Sequence, residues 1–355
     1  MYFKQIDSFR FFAVFLVLIS HWLYEIPFIE RLRLGAIGVD FFLVISGFLI
    51  SLQLYGYKDI IDNKIETFQK ALYVFYVRRI LRIFPLYYFV VILTAIFNKG
   101  EIREAVIWNL TFTSNLYLIK VQHWPSIFSH FWSLSVEEHF YLFWPFIVLL
   151  CNRKFFFYIF SIVIIFSVLF RYWTFSNGHD YFKVYVHTFS CLDLFMMGAL
   201  LAYVYRYKNQ LFNEWFSSYW IKFFTVVSFA FLYSISLFKP DWQIFNWAYL
   251  RLFLGFIYLL ILGFVVLSFR SVTGAFFLEN RILQRLGKMS YGIYLIHNFV
   301  PGLLLPIKKL GLNYMLEFSI YLVVTIIISE VLYGFIEKPA RRFNKSFYIN
   351  TERVT

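Results

Sequence analysis

The sequence predicts an all-α protein that crosses a membrane about ten times, with both termini in the cytoplasm. Hydrophobic residues make up 61% of the chain and charged residues 15%, whereas soluble domains contain about 45–50% and 25%. The mean hydropathy is +0.68, and a single soluble core of this size cannot bury that much apolar surface. Long apolar runs recur along the chain, with clusters of basic residues between them. Lipid is therefore the expected solvent for most of the protein.

The lengths of the apolar runs set the expected spans. A helix needs about 20 apolar residues to cross the hydrocarbon core. Ten runs have a suitable length, at about 9–28, 35–54, 75–97, 131–150, 155–173, 189–205, 220–238, 249–268, 290–307 and 316–336. The stretch 104–119 is only partly apolar and carries two Asn, two Thr and one Ser, so we expect an interfacial or re-entrant segment there. The first run is long enough to span and lacks a small-residue cleavage site, so we expect no signal peptide.

The basic residues indicate the orientation. With ten spans and a cytoplasmic N-terminus, Lys and Arg are about twice as frequent on the cytoplasmic side, as the positive-inside rule requires. The formal net charge of +13 is therefore attributed to topology and lipid headgroups, and no nucleic-acid partner is expected. Residues 1–345 are expected to form a single integral membrane domain, followed by a short cytoplasmic tail at 346–355. Cys151 and Cys191 are expected to be packing residues, and no metal site is predicted.

The first span carries Arg10 and His21, eleven residues apart. Ionisable groups are expensive inside a membrane, so those present are candidates for function. At 100° per residue the two side chains lie about 20° from register, on one face and roughly 16 Å apart along the axis. Arg10 could instead be an end residue that snorkels to the headgroups, and His21 could be a buried His bonded to another helix. Their shared face favours a functional pair.

Three arginines precede the third span, and their spacing places them on one face of a helix. Arg78 and Arg79 lie four and three residues before Arg82, so we expect one guanidinium cluster at the inner membrane surface. Guanidinium groups bind phosphate bidentately and keep their charge. The alternative is a topology anchor that contacts lipid headgroups.

The carboxylates in apolar runs form the third group of candidates. Asp40 lies near the outer end of the second span, where it should have a cationic or His partner. Glu137 and Glu138 follow Ser133 at the start of the fourth span. They point about 100° apart, so we assign Glu137 to the interior, on the face of Ser133, and Glu138 to the interface. Stabilisation of these acids by a helix N-terminus is the alternative.

By depth, these residues sort into a basic cytoplasmic group and an outer group with His21, Asp40 and Glu137. Such an arrangement suits a ligand with a phosphate head and a reactive far end, and coenzyme A thioesters have this form. A His held by a carboxylate is a general base or an acyl carrier. A proton relay or ion pathway would use similar residues. Later in the sequence, His297 and Glu330 are expected to pair with each other.

Six segments in this order resemble integral membrane acyltransferase family 3, which O-acylates surface carbohydrates. They are Arg10 with His21, 38–48, 79–87, 132–141, 294–297 and 337–339. The resemblance covers nearly the whole chain, although His139 stands where the family commonly has Gln. Many relatives carry a further periplasmic hydrolase-like domain, and this chain resembles the stand-alone type.

The resemblance implies transfer of an acyl group, usually acetyl, from cytoplasmic acyl-CoA to a hydroxyl of a cell-surface or lipid-linked carbohydrate. It implies a multi-pass protein of the bacterial cytoplasmic membrane. Arg10 and His21 would be the essential first-span pair, Arg79 and Arg82 would bind the donor, and Glu137 would orient His21 as base or transient acyl carrier. The alternative class is a transporter or channel that moves acyl groups, lipid-linked sugars or protons without forming a bond. A separate partner acyltransferase and a homo-oligomer both remain open.

Overall fold

The computed structural model describes residues 3–97, 101–125, 127–178, 180–239, 241–268, 278–344, 347 and 349. The described residues form helices and turns without a strand. Several of these helices are long and strongly apolar. The prediction of an all-α, polytopic membrane protein is therefore confirmed. Of the predicted tail 346–355, only 347 and 349 are described, and the Ile349 side chain is buried.

The first half of the chain contains three long helices, a set of short ones and a fourth long helix. They are α1 Lys4–Trp22, α2 Pro27–Leu32, α3 Leu34–Asp62, α4 Phe68–Phe97, α5 Glu101–Glu104, α6 Val106–Leu110, α7 Ser114–Val121 and α8 Phe131–Leu150. The stretch 104–119 thus consists of pieces too short to cross a membrane, for which about 20 residues are needed. Asn109, Ser114 and Asn115 are buried, whereas Thr111 is exposed. The Ser114 Oγ lies 2.7 Å from the Ser135 Oγ of α8.

The second half begins with a 3₁₀ turn at Arg153–Phe155. The helices that follow are α9 Phe156–Gly178, α10 Tyr181–Val186, α11 Thr188–Tyr207, α12 Asn209–Ser217, α13 Tyr219–Phe238, α14 Leu250–Ser268, α15 Arg281–Lys288, α16 Ser290–Ile296, α17 Val300–Leu303, α18 Leu305–Lys308, α19 Tyr314–Leu332 and α20 Lys338–Asn344. Single π-helical turns at Phe245–Tyr249 and Tyr333–Glu337 lead into α14 and α20. The second half therefore alternates long spanning helices with short connecting ones.

Seven described helical segments are long and apolar enough to cross a membrane: Pro27–Asp62, Phe68–Phe97, Arg153–Gly178, Tyr181–Tyr207, Tyr219–Phe238, Phe245–Leu267 and Tyr314–Phe343. They coincide with seven of the ten expected spans. Helices α1 and α8 coincide with two more and have 19 and 20 residues. Both helices carry charged and polar residues of the candidate site. The number of spans and the sidedness of the termini stay predictions.

The structure differs from the expectation of a continuous span at 290–307. Helix α16 ends at Ile296, the chain turns through 297–299, and only short helices follow. Pro301 has no amide hydrogen to donate to a preceding turn, and its ring disfavours a continuous helix there. The break leaves the side chains of His297 and Asn298 at the end of α16, facing α1.

Helix α3 lies at the centre of the bundle, between α1, α8 and α11. Its approach to α11 requires glycine on both helices. A Cβ on Gly47 would lie 2.2 Å from the Phe195 carbonyl oxygen, and one on Gly198 would lie 2.1 Å from that of Val44. Helices with small residues at the interface can bring their backbones into contact. This contact positions α3, and the helices α1 and α8 that carry site residues pack against α3.

Candidate active site

A cavity of about 70 Å³, measured as space for the centres of water molecules, lies between α1, α3, α4, α8 and α16. Its charged lining consists of Arg10, Arg79, Arg82, Glu137 and Glu138. Ser133, also singled out in the sequence, lines it as well. The structure thus brings together six residues that are spread over 129 positions of the chain. We call this space the arginine cavity.

The three arginines of the cavity differ in how they are held. The Arg10 guanidinium lies over the Phe42 ring, 5.7 Å from its centroid. Arg79 lies over the Tyr141 ring at 5.3 Å and donates a hydrogen bond of 3.3 Å to the Gln53 side chain. Arg82 has no hydrogen bond or ion pair within the described part of the chain. The arginine cavity therefore contains a guanidinium whose donors are free for a ligand.

Both acids of α8 reach the arginine cavity. The Tyr141 hydroxyl donates a hydrogen bond of 2.6 Å to the Glu137 Oε2, while Glu138 accepts no hydrogen bond from the described residues. The structure thus differs from the expectation that Glu138 lies at the membrane interface. The cavity extends between α3 and α4, so two side chains about 100° apart on α8 can both face it. Arg79 interacts electrostatically with both carboxylates.

Besides His21, which is described below, two candidates lie outside the arginine cavity. Arg78 donates a 3.4 Å hydrogen bond to the Tyr57 hydroxyl and is absent from the cavity lining. Asp40 lines a separate cavity of about 280 Å³ and pairs with Arg251, whose Nη2 lies 2.5 Å from the Asp40 Oδ1. The expected cationic partner of Asp40 therefore comes from α14, and Asp40 lines a different cavity from Glu137.

Beside this pair, Arg171 and Asp193 form a second ion pair at 2.6 Å, with both side chains fully buried. The guanidinium of Arg171 also donates to the Ser190 carbonyl oxygen at 2.6 Å. Buried charges are stable only when paired and hydrogen-bonded. The two pairs join α9, α11, α3 and α14, and their charges cancel. Sequence analysis missed both arginines, although each lies in an apolar run.

His21 belongs to a polar cluster at the other end of α1, which we call the histidine cluster: His21, His130, His297 and Asn298. The His21 Nδ1 lies 2.8 Å from the Asn298 Oδ1 and 3.0 Å from the His297 Nε2. The Asn298 Nδ2 lies 3.0 Å from the His130 Nδ1. Four side chains from α1, the start of α8 and the end of α16 therefore meet here.

The expected pair between His297 and Glu330 is wrong. His297 is fully buried at the end of α16 and faces α1. Glu330 lies on the outward side of α19, half exposed, and forms an ion pair with Arg285. The two residues share a depth in the bundle but point in different directions, which their sequence positions alone do not show.

Tyr294 separates the histidine cluster from the arginine cavity. Its ring lines the cavity, and its hydroxyl lies 2.6 Å from the Ser133 Oγ. Its carbonyl oxygen accepts a 2.6 Å hydrogen bond from the His297 Nδ1. His21 is absent from the described lining of the cavity. Glu137 forms no hydrogen bond with His21. Tyr294 therefore contacts both the arginine cavity and the histidine cluster and lies between them.

Comparison with known proteins decides the family. A family described as "Acyltransferase domain" matches residues 3–334. The chain belongs to this acyltransferase family. It is 29% identical to "Putative peptidoglycan O-acetyltransferase YrhL" of Bacillus subtilis over 96% of this chain and 55% of that protein. It is 27% identical to "Peptidoglycan O-acetyltransferase OatA" of Listeria monocytogenes over 96% of this chain and 56% of that protein.

The acyltransferase thus spans little more than half the length of these relatives, and no solved structure matches it. Within its described ranges, no group of three or more His, Cys, Asp or Glu residues is arranged to hold a metal ion. The arginines that line the arginine cavity suit an anionic ligand. Sequence analysis missed His130 and Asn298, although each lies next to a segment that carries the family resemblance.

Proposed function

We propose that this acyltransferase moves an acetyl group from acyl-CoA to a hydroxyl of a cell-surface or lipid-linked carbohydrate, across a bacterial cytoplasmic membrane. The relatives YrhL and OatA are named for peptidoglycan O-acetylation, so a peptidoglycan sugar is the first acceptor to test. The arginine cavity holds phosphate groups of the donor, and His21 acts on the acceptor hydroxyl. This assignment gives each of the two sites one part of a single reaction.

The observation that carries the proposal is the free guanidinium of Arg82 in a cavity with two further arginines. Three arginines and two carboxylates line the cavity. Arg10 also pairs with Asp7 at 4.0 Å, so Arg82, which has no ion pair with the described residues, is the cation left for an anionic ligand. Guanidinium groups form strong, bidentate bonds with phosphate, and these bonds strengthen where water is excluded. The space of about 70 Å³ holds only part of a coenzyme A molecule, so we assign its phosphate contacts to the cavity and not the whole donor.

Acyl transfer at His21 balances in bonds and protons with the thioester, the acceptor hydroxyl and the imidazole alone. His21 takes the proton of the acceptor hydroxyl while the hydroxyl oxygen attacks the thioester carbonyl carbon. A C–O bond forms, the C–S bond breaks, and the coenzyme A sulfur leaves with the proton returned by the imidazolium. In the second route the imidazole nitrogen attacks the thioester, a C–N bond forms and the C–S bond breaks to release the thiolate. The acceptor oxygen then attacks this acyl group, a C–O bond forms, the C–N bond to His21 breaks, and the hydroxyl proton passes to the thiolate. In both routes the acyl end must pass Tyr294 to reach His21.

The test is transfer by purified protein in lipid nanodiscs, with labelled acetyl-CoA and a peptidoglycan-derived acceptor. We expect label in a new sugar ester, and a loss of rate of about 100-fold or more in His21→Ala, because a missing general base costs that much. The matched control is His139→Gln, which changes a His outside both sites. It should retain activity, since the His139 Nδ1 lies 2.7 Å from the Thr188 hydroxyl, outside both sites, and Gln can replace that bond.

Two outcomes would contradict the proposal. Full turnover by a correctly inserted His21→Ala protein would remove His21 from the chemistry. Movement of label into the lumen of proteoliposomes without a new ester would identify a transporter, the other class that the intramembrane charges allow.

A further inference from the structure

We infer that His297, Asn298 and His130 hold His21 in one tautomer, with the proton on Nδ1 and the lone pair on Nε2. The Nε2 atom is then the reacting atom of His21, and Asn298 is a positioning residue that acts through it. The catalytic use of this tautomer rests on the proposed function, whereas the tautomer itself follows from the hydrogen bonds alone.

The first anchor of this arrangement is His297. Its Nδ1 lies 2.6 Å from the Tyr294 carbonyl oxygen, and a carbonyl oxygen can only accept a hydrogen bond. The Nδ1 therefore carries the proton. A neutral imidazole has one N–H and one lone pair, and a fully buried ring with no carboxylate beside it is neutral. The His297 Nε2 is thus an acceptor.

The proton position on His21 follows from this acceptor. The His21 Nδ1 lies 3.0 Å from the His297 Nε2 and 2.8 Å from the Asn298 Oδ1. Both of these atoms accept, so the Nδ1 must carry the proton that they share. The His21 Nε2 then has the lone pair. Within the described part of the chain it has no hydrogen-bond partner, so it is available to an acceptor hydroxyl.

The orientation of the Asn298 amide has a second, separate anchor. The His130 Nε2 lies 3.0 Å from the Leu295 carbonyl oxygen and so carries the proton of that ring. The His130 Nδ1 must therefore accept, and the group that faces it at 3.0 Å is the Asn298 Nδ2. The same NH₂ group also donates to the Ser129 Oγ at 3.3 Å. The amide oxygen is consequently turned toward His21.

Both anchors come from the break in the ninth expected span. The last carbonyl groups of a helix have no partner within that helix, and α16 ends at Ile296. The carbonyls of Tyr294 and Leu295 are therefore free to fix two His rings. A continuous helix through 290–307 would have engaged these carbonyls and placed Asn298 elsewhere.

The arrangement stabilises the charged state of His21 as well as its neutral tautomer. When the Nε2 takes the acceptor proton, the Nδ1–H keeps its bonds to the Asn298 Oδ1 and the His297 Nε2. These two acceptors stabilise the imidazolium until its Nε2 proton passes to the leaving sulfur. Without them the ring can place its proton on Nε2, and in that form it donates and cannot act as a base there.

The test is ¹⁵N NMR of histidine-labelled protein in nanodiscs, with the His21 signals identified by their absence in His21→Gln. We expect the Nδ1–H tautomer in the unmodified protein. In the double variant Asn298→Leu with His297→Phe, which removes both acceptors, we expect a signal from the Nε2–H tautomer and a fall in kcat of about 10- to 100-fold. The KM for acetyl-CoA should not change. Ser129→Ala, which removes only the outer contact of Asn298, should leave the tautomer as it was.

An Nε2–H tautomer in the unmodified protein would overturn the inference, and so would an unchanged His21 spectrum in the double variant. Because the NMR readout needs no substrate, it separates the two proposals. An Nδ1–H tautomer in a protein that forms no ester would leave this geometry correct and contradict the proposed function.

Discussion

Arg82 is the residue whose contribution to the proposed donor binding can be isolated most directly, because its guanidinium forms no hydrogen bond or ion pair with the described residues. We expect Arg82→Gln to raise the KM for acetyl-CoA by about 10- to 100-fold, since a charge-assisted hydrogen bond contributes about 1.5–3 kcal/mol. The KM for the carbohydrate should not change. Initial-rate kinetics with each substrate varied in turn give both constants.

The matched control for Arg82→Gln is Arg342→Gln. Arg342 is exposed on α20 and outside the arginine cavity, so its loss should leave both KM values unchanged. An effect of Arg82→Gln on the carbohydrate KM alone would contradict the assignment of the cavity to the donor.

The sequence predicted some site residues and missed others for a physical reason. Arg10, Arg79 and Glu137 stand out because each places a charge in an apolar run, which is costly unless the charge has a use. Asn298 is neutral and follows a helix, where Asn is common in turns. Its role depends on His130, which lies 168 residues away in the chain, and that proximity follows only from the tertiary structure.

At the scale of elements, the Asp40–Arg251 pair joins α3 to α14 and is structural in our account. Removal of one partner leaves a buried, uncompensated charge, which costs about 3–5 kcal/mol. We therefore expect Arg251→Met to lower the melting temperature strongly in detergent or nanodiscs. The double variant Asp40→Leu with Arg251→Met should recover most of the loss, because a buried pair can often be replaced by apolar side chains.

Activity measurements separate this role from catalysis. A double variant that folds and transfers acetyl groups at nearly the original rate agrees with a structural pair. A double variant that is as stable as the original but inactive would place Asp40 in the chemistry, as the sequence pattern had suggested.

Long helices followed from the length of apolar runs, which is why α3, α4 and α14 lie where they were predicted. The break after α16 did not follow, because a run with Asn298 and Pro301 is compatible with either a kinked or a broken helix. The pairing of α3 with α11 at Gly47 and Gly198 also needed the structure, since a glycine pattern does not name its partner helix.

At the scale of the whole molecule, composition alone excluded a soluble protein, and the order of six short segments indicated the family. Neither the composition nor the segments indicated how the arginine cavity and the histidine cluster are connected. The structure places the arginine cavity and the histidine cluster on two sides of Tyr294. Helix α1 joins them covalently through Arg10 and His21, about 16 Å apart along its axis. One extended donor must therefore reach from the arginine cavity to the histidine cluster.

The most direct test of this requirement is a structure of the protein in nanodiscs with a thioether analogue of acetyl-CoA that cannot be cleaved. We predict phosphate density against Arg79 and Arg82, and the acetyl group beyond Tyr294, with its carbonyl carbon about 3–3.5 Å from an oxygen bound at the His21 Nε2. Phosphates bound elsewhere, or an acetyl group that stays on the arginine side of an unmoved Tyr294 ring, would contradict the account.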